Sequence, residues 1–231
     1  NSLVKKTIYG SLIIQLLTTL ISLDGLNYYL KNEDSILKDI LLLEAFVQFI
    51  EAFFYIWVIF ALKDLNKMTS RRYFDWFITT PIMLVSTIIF MEYKRKKENK
   101  EDTLYFWDFI KNNKKNIILI VSLNFLMLLM GILSEAGIID MKYGISLGFL
   151  FFIGSFYVIY ENYAKYTENG KKLFVFLFGI WSLYGFAAVL PVVPKNTCYN
   201  ILDIVAKNFY GLFIYHYITQ VGARKGYMLG M

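Results

Sequence analysis

Long apolar runs separated by short polar linkers form the main pattern of this 231-residue chain. A helix that crosses a bilayer needs about 20 mostly apolar residues, and the runs have about that length. The pattern predicts an all-α fold, a bundle of seven transmembrane helices that forms one membrane domain over residues 1–231. The predicted spans are residues 3–23, 35–62, 71–91, 116–134, 143–163, 171–193 and 198–220.

The composition supports a membrane protein whose main partner is the lipid bilayer. Hydrophobic residues make up 57% of the chain and the mean hydropathy is +0.48, which is too apolar for a soluble domain. The net charge of +6 comes from basic residues in loops beside the spans, so it indicates topology and not nucleic-acid binding. One cysteine, Cys198, and one histidine, His216, disfavour a disulfide and a multi-histidine metal site.

The longest linker, residues 92–115, is rich in lysine and is predicted to be cytoplasmic. Counting spans from this linker predicts an extracellular N-terminus at Asn1 and a cytoplasmic C-terminus at Met231. Within the linker, the aromatic-rich stretch 104–110 is predicted to lie along the membrane surface.

Charged residues recur within two of the predicted spans. In the third span Arg72, Asp75 and Thr79 follow one another at helical spacing, and in the seventh Asp203 and Lys207 are four residues apart. A charge at the centre of a span costs about 2.5–3.5 kcal/mol even on mild scales, so these groups require partners. Two carboxylates and two cations can neutralise one another, either as structural ion pairs between helices or as part of a functional site.

The residues around these charges carry a resemblance. The third span contains RYxDWxxTTP from Arg72, the seventh contains DxxxK, and the sixth contains WSLY from Trp181. Together these motifs resemble the microbial (type 1) rhodopsins, and residues 131–138 are similar to the end of the fourth helix in proteorhodopsin-like members. The resemblance extends over all seven predicted spans.

The resemblance implies that Lys207 forms a Schiff base with retinal, all-trans in the dark. It also implies that Asp75 and Asp203 are counterions, with Arg72 as their partner. The residues that it places in the retinal pocket are Trp76, Thr79, Thr80, Met83, Trp181 and Tyr184.

The chain departs from the proton pumps of that family at one position. Those pumps carry a carboxylic acid eleven residues after the helix-three counterion, and this chain has Ser86 there. A hydroxyl does not donate a proton near neutral pH. The motif Asp75, Thr79, Ser86 is the DTS pattern, which disfavours pumping by the usual route.

Polar residues at helical spacing also occur in the first and second spans. Glu44, Gln48 and Glu51 follow one another at i, i+4 and i+7, and Ser11 and Gln15 are four residues apart. With Asn208 these side chains are candidates for a hydrated ion path past the retinal. Two alternatives remain open: Ser11 and Gln15 as hydrogen bonds between helices, and Glu44 as a relocated proton donor facing Ser86.

The glutamate row, the DTS set and the compact chain are most similar to group 1 viral rhodopsins, the viral channelrhodopsins. This resemblance implies a photoreceptor, not an enzyme, that acts as a light-gated channel for cations such as H⁺, Na⁺ or K⁺. The expected location is a membrane of the infected host cell or the virion, and a homo-oligomer is compatible with the apolar surface. The alternatives are an outward light-driven proton pump that uses Glu44 as donor, and a photosensory rhodopsin.

Overall fold

The computed structural model describes residues 2–225 of the chain. Asn1 and Met231, for which opposite sides of the membrane are predicted, lie outside the described residues. Within the described part the α-helices are α1 (Ser2–Leu23), α2 (Ile36–Ile59), α3 (Leu65–Glu98), α4 (Phe106–Asn112), α5 (Lys114–Glu135), α6 (Met141–Asn162), α7 (Glu168–Ala187), α8 (Val192–Asp203) and α9 (Phe209–Val221).

The long helices of the described part make seven rods, as the apolar pattern predicts. Five of them, based on α1, α2, α3, α5 and α6, are long and apolar enough to cross a membrane. The sixth rod is α7. The seventh is composite, because α8 continues through a π-helical turn, Ile204–Asn208, into α9. The short α4 overlaps the predicted stretch 104–110 and extends to Asn112, with Trp107 exposed and Phe109 buried against the core.

The predicted boundary between the sixth and seventh spans is wrong. The sixth span was predicted to reach residue 193, but α7 ends at Ala187 and α8 already begins at Val192. Pro194 does not prevent this early start, since a proline in the first turn of a helix lacks only an N–H that has no helical acceptor. The outer part of the seventh rod is therefore helical where a loop was expected.

The third rod is longer than predicted. α3 extends well past residue 91, and i, i+3 and i, i+4 ion pairs, Arg95 with Glu92 and Lys94 with Glu98, support its last turns. Pro81 lies inside α3, which membrane helices tolerate because neighbouring groups satisfy the freed carbonyl. We name the two ends of the bundle after this helix: the Arg72 end, predicted extracellular, and the Lys94 end, predicted cytoplasmic.

At the Lys94 end the last described residues are tied to the loop between α1 and α2. Strand β1 (Tyr28–Tyr29) pairs antiparallel with strand β2 (Ala223–Arg224). The backbone N–H of Lys225 also donates to the carbonyl of Asn27 at 2.8 Å. We call this pairing and its flanking contacts the strap.

Side chains reinforce the strap. Arg224 Nη2 donates to Asp24 Oδ1 at 3.0 Å, and Tyr215 Oη donates to the other oxygen of the same carboxylate at 3.0 Å. Gly222 allows the close approach, because a Cβ at this position would lie 2.9 Å from the Tyr29 carbonyl oxygen and 3.0 Å from that of Ile218. Backbone atoms cannot move aside as a flexible side chain can.

Replacement of Gly222 by alanine should loosen the strap. Overpacking against two fixed carbonyls costs about 1–3 kcal/mol, so trypsin should cleave after Arg224 faster than in the wild type. The matched control is Gly179→Ala, where an added Cβ would meet nothing within 4 Å. Equal cleavage rates in the wild type and Gly222→Ala would contradict the close packing of the strap.

Candidate functional site

Lys207 lies in the middle of the bundle within reach of three carboxylates. Its Nζ is 2.7 Å from Glu51 Oε2, 3.6 Å from Asp75 Oδ2 and 3.7 Å from Asp203 Oδ1. All four side chains are at most 3% exposed. The closest contact, between Lys207 and Glu51, lacks the alignment of a hydrogen bond, so it is an ion pair stabilised by the attraction of opposite charges.

The local backbone helps to place these groups. Asp203 ends α8, and Lys207 lies in the π-helical turn that follows it. A π-turn inserts an extra residue per turn and is frequent at functional sites. The π-turn changes the direction in which the Lys207 side chain leaves the rod, compared with a regular α-helix. The ammonium contacts Glu51 on α2 and Asp75 on α3, as well as Asp203 on its own rod.

Arg72 supplies the second cation of the site. Its Nη1 is 3.6 Å from Asp203 Oδ2, on the side of the cluster nearer the Arg72 end. The guanidinium is held by two amides of α8: Nε donates to Asn196 Oδ1 at 3.1 Å, and Nη2 donates to Asn200 Oδ1. The predicted partner of the counterions thus contacts Asp203 directly.

The three carboxylates differ in the donors that reach them. Asp203 accepts hydrogen bonds from Tyr55 Oη and Tyr184 Oη, in addition to its contact with Arg72. Asp75 accepts one from Thr79 Oγ1 at 3.2 Å. Among the described residues, neither oxygen of Glu51 has an aligned hydrogen-bond donor. The negative charge of Asp203 is therefore the best supported of the three.

Polar side chains follow one face of α1 past this cluster at spacings of three and four residues. Ser11 Oγ contacts Tyr55 Oη at 3.4 Å, and Gln15 Nε2 donates to Ser11 Oγ at 2.8 Å. Gln15 Oε1 and Ser22 Oγ are buried without partners in the described part of the chain. We call this set the α1 polar row; its members are Thr7, Ser11, Gln15, Thr18 and Ser22.

The row is bonded to α2 and to the seventh rod. Thr18 Oγ1 donates to Asn208 Oδ1, and Thr19 Oγ1, next to the row, donates to Gln48 Oε1. Gln48 Nε2 in turn reaches the carbonyl oxygen of Lys207 at 3.4 Å. These hydrogen bonds connect the row to α2 and to the seventh rod.

Glu44 lies apart from the row, on α2, one helical turn nearer the Lys94 end than Gln48. Its Oε1 accepts a hydrogen bond from Ser86 Oγ at 2.5 Å. The sequence predicts that Glu44 could face Ser86, and the two side chains are in contact, both fully buried.

An apolar cavity begins at Lys207 and extends on the opposite side of the seventh rod, between α3, α5, α6 and α7. It encloses about 810 Å³, including the space at its mouth. Aromatic rings form much of its wall. Trp76 packs edge-on against Tyr184 and Tyr199, and these two tyrosine rings are stacked with their centroids 5.8 Å apart. Residues in its lining are Trp76, Thr80, Met83, Trp181, Tyr184, Tyr73, Gly131, Gly148, Phe149, Gly185, Tyr199 and Lys207, among others.

One residue predicted for the retinal pocket is not part of this lining. Thr79 is fully buried, and its hydroxyl bonds to the carbonyl oxygen and the carboxylate of Asp75. It supports a carboxylate of the cluster instead of contacting the cavity. The other predicted pocket residues all line the cavity.

Several residues of the site were missed in the sequence. Thr18 and Ser22 continue the spacing of Ser11 and Gln15, so an extended search for i+3 and i+4 polar residues on α1 would have found them. Tyr55 follows Glu51 by four residues in the same way. The α8 amides that hold Arg72 were missed for a different reason: Asn196 was assigned to the loop before the seventh span, which separated it from Asn200, four residues later in that span.

Comparison with known proteins gives one family match and several matches to solved structures. A family model described as bacteriorhodopsin-like protein matches residues 6–221. Among solved structures, the viral rhodopsin OLPVRII has 28% identity and a TM-score of 0.81, and the alignment covers 95% of this chain and 99% of that one. A rhodopsin of Exiguobacterium sibiricum has 20% identity and a TM-score of 0.70, over 96% of this chain and 99% of its own, which shows the fold alone. No curated protein sequence matches the chain.

The charge balance of the site can be tested in the retinal-free protein. Lys207→Ala should lower the thermal unfolding midpoint, because loss of one partner of a buried ion pair costs about 3–5 kcal/mol. Adding Glu51→Gln should restore part of the loss by removing one surplus carboxylate. A double variant no more stable than Lys207→Ala would contradict a charge balance shared between these two residues.

Proposed function

This chain belongs to the bacteriorhodopsin-like family, and we propose that within it the protein is a light-gated cation channel. Members of the family are integral membrane proteins that bind retinal and act as photoreceptors, pumps or channels. The proposal concerns the choice among these activities, the residues that perform it, and the group 1 viral subfamily.

The cavity fits retinal in position and chemistry. It is mostly apolar, aromatic rings form much of its wall, and it reaches Lys207, which lies inside the carboxylate cluster. When bound to Lys207 as a protonated Schiff base, retinal supplies light absorption and the change of shape that follows it. Trp76, Trp181 and Tyr184 would constrain the polyene from its sides, because rigid rings give contact area and limit which bonds can turn.

The counterion role falls on three carboxylates and not on two. Asp203, with two tyrosine hydroxyls and Arg72, serves as the fixed anion. Asp75 and Glu51 have fewer donors and lie within 3.6 Å of Lys207 Nζ. Three carboxylates against two cations leave one surplus negative charge, which a shared proton on Asp75 or Glu51 balances.

The observation that carries the channel proposal is the position of Glu51. Its carboxylate is in contact with Lys207 Nζ, and its helix face also carries Gln48, which is bonded to the polar groups beside the α1 polar row. A change of charge or position at Lys207 therefore acts directly on the side chains that close the row. Once their mutual hydrogen bonds break, the unpartnered oxygens of Gln15 and Ser22 can take water.

The same geometry favours cations as the conducted species. Glu51, Asp75 and Asp203 surround Lys207, and acidic side chains attract cations and exclude anions. The path would run from Ser11 and Gln15, past Glu51, to Gln48 and Asn208, in a membrane of the host cell or the virion.

A proton pump is the second candidate, because of one contact. Ser86 occupies the position of the usual donor and is hydrogen-bonded to Glu44. The Glu44 carboxyl group thus lies at the depth of Ser86 in the bundle, although it comes from α2 and not from α3. In a pump, Glu44 would return the proton to the site from the Lys94 end.

Photocurrents in retinal-supplied cells under voltage clamp separate the two candidates. A channel should pass a current that reverses sign with voltage and follows the cation gradient. Current that stays outward over the whole voltage range would refute the channel. Lys207→Ala is the control: it should show neither visible absorbance nor photocurrent, and a coloured Lys207→Ala protein would contradict the attachment site.

Glu51→Gln should change ion conduction while the pigment stays coloured. The amide keeps the shape of the side chain but removes a charge from the path, so we expect smaller currents and a shifted preference between H⁺ and Na⁺. The control is Glu168→Gln, an exposed glutamate at the start of α7. Currents equal to the wild type in size and reversal potential would remove Glu51 from the path.

A further inference from the structure

Four oxygen-bearing side chains meet between Lys207 and the Lys94 end of the bundle. Glu44 comes from α2, Ser86 and Thr87 from α3, and Tyr210 from α9. The phenol of Tyr210 lies close to both hydroxyls and to Glu44, but without the alignment of a hydrogen bond. All four are at most 3% exposed. We call this group the inner oxygen site.

Two of its polar atoms have no partner in the described part of the chain. Glu44 Oε2 and Tyr210 Oη are both buried and make no hydrogen bond, while Ser86 bonds the other oxygen of Glu44. Buried polar groups are nearly always satisfied, and each exception requires an explanation such as a water or an ion that completes the set. Both free atoms belong to one site, so one ligand can satisfy them together.

The chemistry of the site selects the type of ligand. Carboxylate, hydroxyl and phenol oxygens are hard donors that suit hard cations. The site carries one carboxylate, so a monovalent cation leaves it neutral, whereas a divalent cation would leave an uncompensated charge in an apolar environment.

An apolar layer separates the inner oxygen site from the Lys94 end. Leu41, Phe90 and Ile214 lie about one turn beyond Glu44, Ser86 and Tyr210 respectively, and all three are fully buried in one core cluster. A cation that moves from the site towards the Lys94 end meets these three side chains, none of which carries an oxygen ligand. The inner oxygen site is therefore where oxygen ligands from side chains can replace part of the water shell of a cation before it meets this layer.

We propose that Glu44, Ser86, Thr87 and Tyr210 form a binding site for a partly dehydrated monovalent metal cation, Na⁺ or K⁺, and that Tyr210 sets the preference between them. The proposal rests on the channel function proposed above. Tyr210 is the best-placed selector, because its rigid ring fixes the distance of its oxygen from Glu44 more firmly than a serine or threonine hydroxyl can.

The test is the permeability ratio of Na⁺ to K⁺, measured from reversal potentials with Na⁺ on one side and K⁺ on the other. Tyr210→Phe, which keeps the ring, should change this ratio several-fold. Tyr163→Phe is the matched control, since it also removes a buried phenol, one that bonds Asn113 away from the path. The proposal is overturned if the Na⁺ to K⁺ permeability ratio of Tyr210→Phe equals the ratios of the wild type and of Tyr163→Phe.

Failure of the site and failure of the channel are distinguishable. A wild-type current that never reverses refutes the channel, and the site with it. A reversing wild-type current with an unchanged Tyr210→Phe ratio refutes the site alone.

A second measurement does not depend on current. Light-minus-dark infrared spectra of the purified protein should show a carboxyl band that differs between NaCl and N-methyl-D-glucamine chloride and that is absent in Glu44→Gln. A Glu44 band identical in the two salts overturns the cation site. Loss of the salt difference in Tyr210→Phe, with the band retained, is the expected result.

Discussion

The burial of the Lys207 ammonium among three carboxylates is the interaction on which the rest of the structure depends. The four charged groups come from α2, α3, α8 and the π-turn, so none of these elements can shift without exposing a charge to a neighbour of the same sign or to hydrocarbon. Arg72 adds a second cation, held by amides of α8. In lipid, where each unpaired charge is costly, this cluster fixes the relative depth of the helices that carry it.

The cluster also divides the interior into two environments. On the side of α1 and α2 many of the buried side chains near Lys207 are hydroxyls, amides and acids, and on the side of α5, α6 and α7 the cavity is lined mostly by aromatic rings, aliphatic side chains and glycines. Lys207 lies at the border. In the proposed channel the polar side would take up water and ions, while the apolar side would exclude water and hold retinal. One side chain in contact with both can couple a change in the ligand to a change in hydration.

Much of this site could be predicted from spacing alone, and the remainder could not. Charges in apolar runs are rare, so four residues stand out in the sequence: Arg72, Asp75, Asp203 and Lys207. Arg72 and Asp75 share one face of the third span, and Asp203 and Lys207 share one face of the seventh. The contact between Glu51 and Lys207 depends on how α2 is rotated and how deeply it lies against the seventh rod, and the π-turn alters that rod locally. Tyr55 has helical spacing to Glu51, and Tyr184 was predicted for the retinal pocket, but the sequence does not show that both hydroxyls donate to Asp203. The early start of α8 was missed because two prolines favour a loop in the sequence.

The strap joins parts of the chain that lie far apart in sequence, and this separation affects the order of assembly. Synthesis proceeds from the N-terminus, so the loop with Tyr28 and Tyr29 is made long before Ala223 and Arg224 exist. Until the chain is finished, that loop has an unpaired strand edge and Asp24 lacks both of its partners on the seventh rod. The β1–β2 pairing therefore forms late in biogenesis, and it marks a bundle whose first and last helices have already met.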